Sequence, residues 1–197
     1  MIVPVGTRAA LEEAARLTKA RPPRLGRIRL VTVDGPSGSG KTVFAAALAD
    51  RLRAGGRHTE LVGVDLLTTW DDPFGWWPRL DDGLLRPLAA GRPGTIRAND
   101  WSTGEPVPGP LVTVPVPQVL ILEGVSSGRA AVAGRTSVAI WVEVPDRAER
   151  LERALRRDGE HQRRHFLSWQ MAEDGHFPAE GTRARADLIV DPTIVGA

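Results

Sequence analysis

Residues 35–42 have the sequence GPSGSGKT, and this segment decides the fold of the 197-residue chain. The apolar, β-branched run at residues 28–33 precedes it and predicts a buried strand, while residues 41–53 after it predict a helix. A strand, a glycine-rich turn and a helix in this order predict a loop that binds phosphate groups. The residues that match the pattern G-x-x-x-x-G-K-[ST] are Gly35, Gly40, Lys41 and Thr42.

Each residue type of the segment suits polyphosphate chemistry. Glycines let backbone N–H groups converge on phosphate oxygens, and the helix N-terminus adds a favourable dipole. Lys41 would reach the β- and γ-phosphates, and the hydroxyl of Thr42 would face Mg²⁺. We therefore expect ATP and Mg²⁺ to be bound there. The residues expected to contact the nucleotide are Gly35, Pro36, Ser37, Gly38, Ser39, Gly40, Lys41 and Thr42.

Two alternatives stay open for this segment. A Gly/Ser-rich turn can join a strand to a helix and bind nothing, and a nucleotide can be bound without any small molecule being phosphorylated. The sequence N-K-x-D, which reads guanine in GTPases, does not occur. The chain is also short for the additional modules of most motor ATPases, so a small-molecule kinase is the favoured interpretation.

Composition limits the other classes of function. Lys plus Arg number 26 and Asp plus Glu 24, and this balance indicates neither a nucleic-acid partner nor a membrane partner. The absence of cysteine excludes disulfides, thiolate metal ligands and a thiol nucleophile. No window has the ~18 apolar residues that a membrane span requires. We expect a cytoplasmic protein that acts on a small molecule; its oligomeric state is not readable.

Apolar runs that alternate with helical segments predict the architecture. Five short runs, each nearly continuously apolar, are separated by helices, as in three-layer α/β domains built on a parallel sheet. We predict the P-loop NTPase fold with a five-stranded parallel sheet, residues 1–26 forming an N-terminal helix and linker and residues 27–197 the kinase domain. Six prolines in residues 91–117 predict an extended, irregular segment.

Acidic residues follow the apolar strands, where open parallel sheets bind ligands. Asp65 ends the second predicted strand, Glu123 ends the third, and Asp100 lies in the proline-rich segment. Phosphoryl transfer needs a carboxylate to orient or deprotonate the attacking hydroxyl and oxygen ligands for magnesium. Strand-end acids also cap turns, and the pattern alone does not separate base from metal ligand.

Several motifs in order resemble the uridine kinase-like family of P-loop kinases. They are GPSGSGKT after VTVDG, VD ending at Asp65, ANDW at residues 98–101, VLILEG at 119–124 and RALRRDG at 153–159. The resemblance covers most of residues 28–191. It implies an ATP-dependent kinase for a hydroxyl-bearing small molecule, with a nucleoside such as uridine as the leading acceptor. A sugar, a pantothenate-like acid or a nucleotide remains an alternative acceptor, and a regulatory nucleotide-binding protein an alternative class.

The resemblance also implies roles for individual residues. Asp65 would be the base facing the acceptor hydroxyl, Glu123 would belong to the magnesium shell, and Asp100 with Trp101 would line the acceptor site. Leu66 and Leu67 stand where the family has an aromatic residue shortly after the strand-end acid.

Arginines and tryptophans supply the remaining candidates. Arg157 is expected to stabilise the transferring phosphate and Arg153 to contact the nucleotide, as part of a lid that also holds Arg156, Arg163 and Arg164. The alternative is a solvated helix face paired with Glu149 and Glu152. Trp70, Trp76, Trp77 and Trp101 share one loop-rich region and could wall a pocket, whereas Trp141 and Trp169 are expected in the core.

Overall fold

The computed structural model describes residues 4–194, which form an α/β domain. Its strands are β1 (Arg29–Asp34), β2 (Thr59–Gly63), β3 (Gly94–Asp100), β4 (Val107–Val114), β5 (Val119–Glu123), β6 (Thr136–Val142) and β7 (Leu188–Val190). Its α-helices are α1 (Thr7–Ala20), α2 (Lys41–Ala54), α3 (Trp77–Leu80), α4 (Arg86–Ala89), α5 (Ala130–Ala133), α6 (Arg147–Asp158), α7 (Arg163–Glu180) and α8 (Thr182–Arg185). A π-helical turn, Asp81–Leu85, joins α3 to α4.

The central sheet has five parallel strands in the order β2-β5-β1-β6-β7. The predicted fold class is therefore confirmed, because all five apolar runs are strands of this sheet. Strand β1 leads into residues 35–42, the predicted phosphate loop, and lies in the middle of the sheet between β5 and β6. The carboxyl ends of all five strands consequently face the same edge, where the predicted acids gather.

Two apolar layers cover the sheet. Successive side chains of a strand point to opposite faces, and Val31 and Val33 of β1 accordingly pack against Phe44 and Leu48 of α2. Helix α1 packs into the same layer. Leu30 belongs to the opposite layer, which contains the fully buried Trp76 and the leucines of residues 80–88.

The proline-rich segment is not irregular, and this expectation was wrong. Strands β3 and β4 form an antiparallel two-stranded sheet of their own. Prolines are tolerated there because, among the strands of residues 4–194, β4 pairs with β3 alone, so its other edge needs no N–H donors. Pro110 lies at the register shift opposite residues 97–99, where the ladder is already interrupted.

Within residues 4–194, no helix combines the length and the apolar content needed to cross a lipid bilayer.

Candidate active site

Residues 35–42, the predicted phosphate loop, form a tight turn between β1 and α2. Gly38 and Gly40 have φ angles of 76° and 95°, in the left-handed region that favours glycine. A Cβ atom on Gly38 would lie 2.1 Å from the carbonyl oxygen of Arg150. The loop therefore needs glycine at this position both for its backbone conformation and for its approach to α6.

The polar side chains of the loop are held close to its backbone. Lys41 is 7% exposed, and its Nζ donates to the carbonyl oxygen of Pro36 at 2.9 Å. The hydroxyl of Ser39 is buried without a hydrogen-bond partner among residues 4–194. A concave loop with a buried ammonium group and an unsatisfied hydroxyl suits an anionic ligand.

Glu123 ends β5 directly beside the loop. Its carboxylate oxygens lie 3.3 and 3.4 Å from the Thr42 hydroxyl. Burial and the nearby charge of Asp65 raise the pKa of Glu123 to about 7, against the opposing effects of Lys41, Thr42 and Arg157. Crowded acids at a buried position are typical of sites that receive a cation or a proton.

The donor set fits a magnesium ion shared with a nucleotide. Thr42 and Glu123 offer hard oxygen ligands side by side, as Mg²⁺ prefers, and the side chain of Thr42 is exposed. No cluster of three or more His, Cys, Asp or Glu side chains able to hold a metal occurs in residues 4–194.

Asp65 lies just past β2, in the 3₁₀ turn Val64–Leu66, and its side chain is exposed. As the parallel sheet predicts, this acid and Glu123 meet at one edge. Asp65 lines two cavities, one of about 510 Å³ over the phosphate loop and one of about 530 Å³ beside it. The three other residues that line both are Arg157, Phe166 and Trp169.

The second cavity has aromatic walls. The indole N–H of Trp70 donates to the carbonyl oxygen of Gly104, and the indole N–H of Trp169 donates to that of Trp70. Trp101 also lines this cavity. Trp76, by contrast, is fully buried in the core. Trp169 is buried, as expected, and also lines the cavity. These hydrogen bonds hold the rings as rigid walls.

Asp100 does not line either cavity. Its Oδ1 accepts a hydrogen bond from the backbone N–H of Ser102 at 2.8 Å, which lowers the pKa of Asp100. The carboxylate therefore serves as a turn cap in this structure, one residue from Trp101.

Three of the lid arginines line the cavity over the phosphate loop, and two of these three also form ion pairs. Arg153, Arg156 and Arg157 line that cavity, whereas Arg163 pairs with Glu152 and Glu160. Arg153 pairs with Glu149 at 2.9 Å. Arg157 donates Nε and Nη2 to Asp158 at 2.7 and 2.6 Å, and its side chain is 61% exposed.

Asp34, the last residue of β1, is a site residue that the sequence analysis did not single out. Its carboxylate is fully buried and accepts hydrogen bonds from the backbone N–H groups of Gly35, Ser126 and Gly128 at 2.7–2.9 Å. Burial raises the pKa of Asp34 to about 6. Asp34 thus ties the start of the phosphate loop to the loop after β5. The sequence feature that could have identified Asp34 is its position at the end of a predicted strand.

Glu173 of α7 is a second unexpected contact of the loop. Its Oε1 accepts from the backbone N–H and the hydroxyl of Ser37, at 3.0 and 2.5 Å. The carboxylate is 3% exposed, and burial raises its pKa. Helix α7 is therefore fastened to the phosphate loop. No local pattern marks this residue, because it lies 136 positions away along the chain.

Solved structures with a similar fold were found by comparison. A possible uridine kinase from Bacillus stearothermophilus is 19% identical with a TM-score of 0.68, covering 93% of this chain and 98% of that chain. D-glycerate 3-kinase from Cryptococcus neoformans is 18% identical with a TM-score of 0.62, covering 85% and 88%. No protein-family model and no curated protein sequence matches. At this identity the likeness confirms the predicted resemblance at the level of the fold: the chain has the fold of uridine kinase-like P-loop kinases.

Proposed function

We propose that the chain is a phosphotransferase that moves the γ-phosphate of ATP, with Mg²⁺, to a hydroxyl group of a small molecule. The observation that carries this proposal is the junction of two cavities at Asp65 and Arg157. One cavity contains the phosphate loop and the other has aromatic walls. A donor phosphate and an acceptor could therefore meet at a carboxylate and a guanidinium group, which phosphoryl transfer requires.

The phosphate loop would bind the nucleotide in the first cavity. Backbone N–H groups of residues 38–42 and the N-terminus of α2 would hold the β- and γ-phosphates. Lys41 would exchange its bond to Pro36 for phosphate oxygens, and Arg153 lies in the same cavity. Thr42 and Glu123 would hold Mg²⁺, which when bound neutralises charge on the phosphate oxygens.

Transfer would proceed by one displacement. The acceptor oxygen forms a bond to the γ-phosphorus while the bond from this phosphorus to the β–γ bridging oxygen breaks, releasing ADP. Asp65 would take the proton of the acceptor hydroxyl. Arg157 would break its ion pair with Asp158, which costs little because the Arg157 side chain is exposed. Its guanidinium group would then offset the negative charge of the transferring phosphoryl group.

We propose a nucleoside such as uridine as the acceptor. Rigid indole walls favour stacking on a flat ring, and a cavity of about 530 Å³ is in the usual size range of small-molecule sites. Trp101 would stack on the acceptor or lie beside it. Asp100, in the adjoining turn, would belong to the wall of the acceptor site. A sugar, a pantothenate-like acid or a nucleotide stays an alternative acceptor.

A panel assay tests the proposal. The protein is incubated with ATP, Mg²⁺ and single nucleosides, sugars, hydroxy acids and vitamins, and ADP release is followed beside Lys41→Ala protein. We expect a nucleoside to stimulate ADP release only in the unmodified chain. Stimulation by another class of acceptor would support the kinase function and show that the acceptor is not a nucleoside. Tight ATP binding with no stimulation would instead establish a nucleotide-binding protein without turnover.

A further inference from the structure

A third cavity, of about 440 Å³, lies on the face of the sheet opposite α2. Its floor includes Thr32 of β1 and Ser137 of β6, which alternate with the side chains that face α2. None of its lining residues lines either cavity of the candidate active site. It is therefore a separate site.

The cavity carries positive charge that is not compensated by its own carboxylate. Arg21, Arg24 and Arg185 line it together with one acid, Asp187. Asp187 already accepts from Arg21 at 2.5 Å and from the backbone N–H of Ala139 at 2.9 Å. One guanidinium group is thus neutralised, and two remain.

The two remaining guanidinium groups form no ion pair within residues 4–194. Arg24 is exposed and forms no ion pair within residues 4–194. Arg185 donates only to neutral oxygens, the carbonyl groups of Glu180 and Gly128. Two guanidinium groups that line one cavity and form no ion pair are suited to a doubly charged anion.

A hydroxyl group of the wall also lacks a partner. Thr182 is 6% exposed and lines the cavity, and its Oγ1 forms no hydrogen bond among the described residues. A buried hydroxyl left unsatisfied costs free energy, which a ligand oxygen can recover after rotation of the threonine about χ1. Thr32 adds a second hydroxyl to the floor.

We propose that this cavity binds the phosphate monoester of a small polyhydroxylated metabolite. A phosphate monoester carries a charge close to −2 at neutral pH, which matches the two uncompensated guanidinium groups. The hydroxyl-bearing floor provides hydrogen-bond partners for the polyol. The volume is in the range of small-molecule sites. This inference does not depend on the proposed kinase function.

Calorimetric titration tests the ligand class. The full chain carries Lys41→Ala, to remove binding at the phosphate loop, and is titrated with glycerol 3-phosphate, inorganic phosphate and succinate. We expect saturable binding of glycerol 3-phosphate. Inorganic phosphate should bind about tenfold more weakly because it lacks the hydroxyl groups that the floor would contact, and succinate about tenfold more weakly because its two charges lie on separate carboxylates. Absence of saturation below about 10 mM ester, or equal binding of succinate or inorganic phosphate, would overturn the proposal.

Two further variants test the position of the site. Arg24→Gln should weaken glycerol 3-phosphate binding about tenfold. The matched control Arg27→Gln removes the same charge from an exposed residue of the same turn that does not line the cavity, and should leave the affinity unchanged. Equal weakening by both variants would show general charge attraction and reject the site. Because Arg24 is exposed and forms no ion pair within residues 4–194, its replacement should not disturb folding.

Discussion

The indole Nε1 of Trp101 donates a hydrogen bond to the backbone carbonyl oxygen of Asp65 at 3.1 Å. This bond fastens the β3–β4 hairpin to the turn that follows β2. This contact therefore links the proposed base to the proposed acceptor wall, 36 residues apart along the chain. The aromatic cavity and the carboxylate should respond together when this contact is removed.

Trp101→Phe should separate binding of the acceptor from binding of ATP. The phenyl ring keeps an aromatic wall but cannot donate to Asp65, and one lost neutral hydrogen bond is worth about 1 kcal/mol. We expect the KM of the acceptor to rise about fivefold and the Kd of ATP to stay unchanged, as measured by steady-state kinetics and titration. Trp141→Phe is the matched control, since its Nε1 bond to Glu143 lies away from both cavities. An equal KM change in the control would reject the role of Trp101.

Lys41→Ala should abolish most turnover without unfolding the protein. The ammonium group is bound to the loop carbonyl of Pro36 rather than packed in the core, so its loss removes phosphate neutralisation. We expect kcat/KM to fall by about 10²–10³ with the thermal unfolding temperature preserved. The chain has one other lysine, Lys19, and Lys19→Ala serves as the control. Near-normal turnover of the Lys41 variant would exclude the assigned role.

The fold was largely predictable because buried parallel strands are marked by near-continuous apolar runs. The hairpin was not, since the effect of a proline in a strand depends on whether a second strand lies beside it, and local sequence does not show this. Asp65 and Glu123 followed from the geometry of strand ends. The same geometry applies to Asp34, which is the last residue of β1. Trp169 is buried as predicted, but its place in the cavity wall could not be predicted, and neither could the contact of Glu173, because packing of α7 over the loop is a tertiary property.

Asp65→Asn should lower turnover much more than it lowers affinity for ATP. The carboxylate lines the boundary between the two cavities, and the asparagine keeps its size but cannot take a proton. We expect kcat to fall about 10²–10⁴-fold and the Kd of ATP to change less than about threefold. Asp71→Asn, at an exposed residue outside both cavities, is the control. If ATP affinity falls as far as kcat, Asp65 acts on magnesium or on the fold instead.

Gly38→Ala should disable the phosphate loop. The new methyl group would have to lie 2.1 Å from the carbonyl oxygen of Arg150, at a φ angle of 76° that alanine disfavours. The loop must move, so we expect loss of measurable ATP binding and a free energy of unfolding lower by ~1–3 kcal/mol. Gly134→Ala is the matched control, because a Cβ atom there meets nothing within 4 Å. ATP binding at the original affinity in Gly38→Ala would contradict the loop geometry.

The buried carboxyl of Asp34 should give the folded protein a distinctive dependence on pH. Burial raises the pKa of Asp34 from 3.8 to about 6, so between these values the folded chain holds a proton that the unfolded chain has released. The free energy of unfolding contributed by this group therefore falls as pH rises from about 4 to 6, and it is constant above that range.

Asp34→Asn isolates this contribution, since asparagine does not titrate. The NH₂ group of asparagine would face one of the backbone N–H groups that donate to the carboxylate of Asp34. Two donors then meet without an acceptor, and this lowers stability by an amount independent of pH. Urea unfolding of both proteins between pH 4 and 7.5 gives the difference, unmodified chain minus variant. We expect this difference to fall by up to about 3 kcal/mol as pH rises through 6. A difference that stays level or grows with pH would show that the backbone N–H groups stabilise the ionised carboxylate more than burial penalises it.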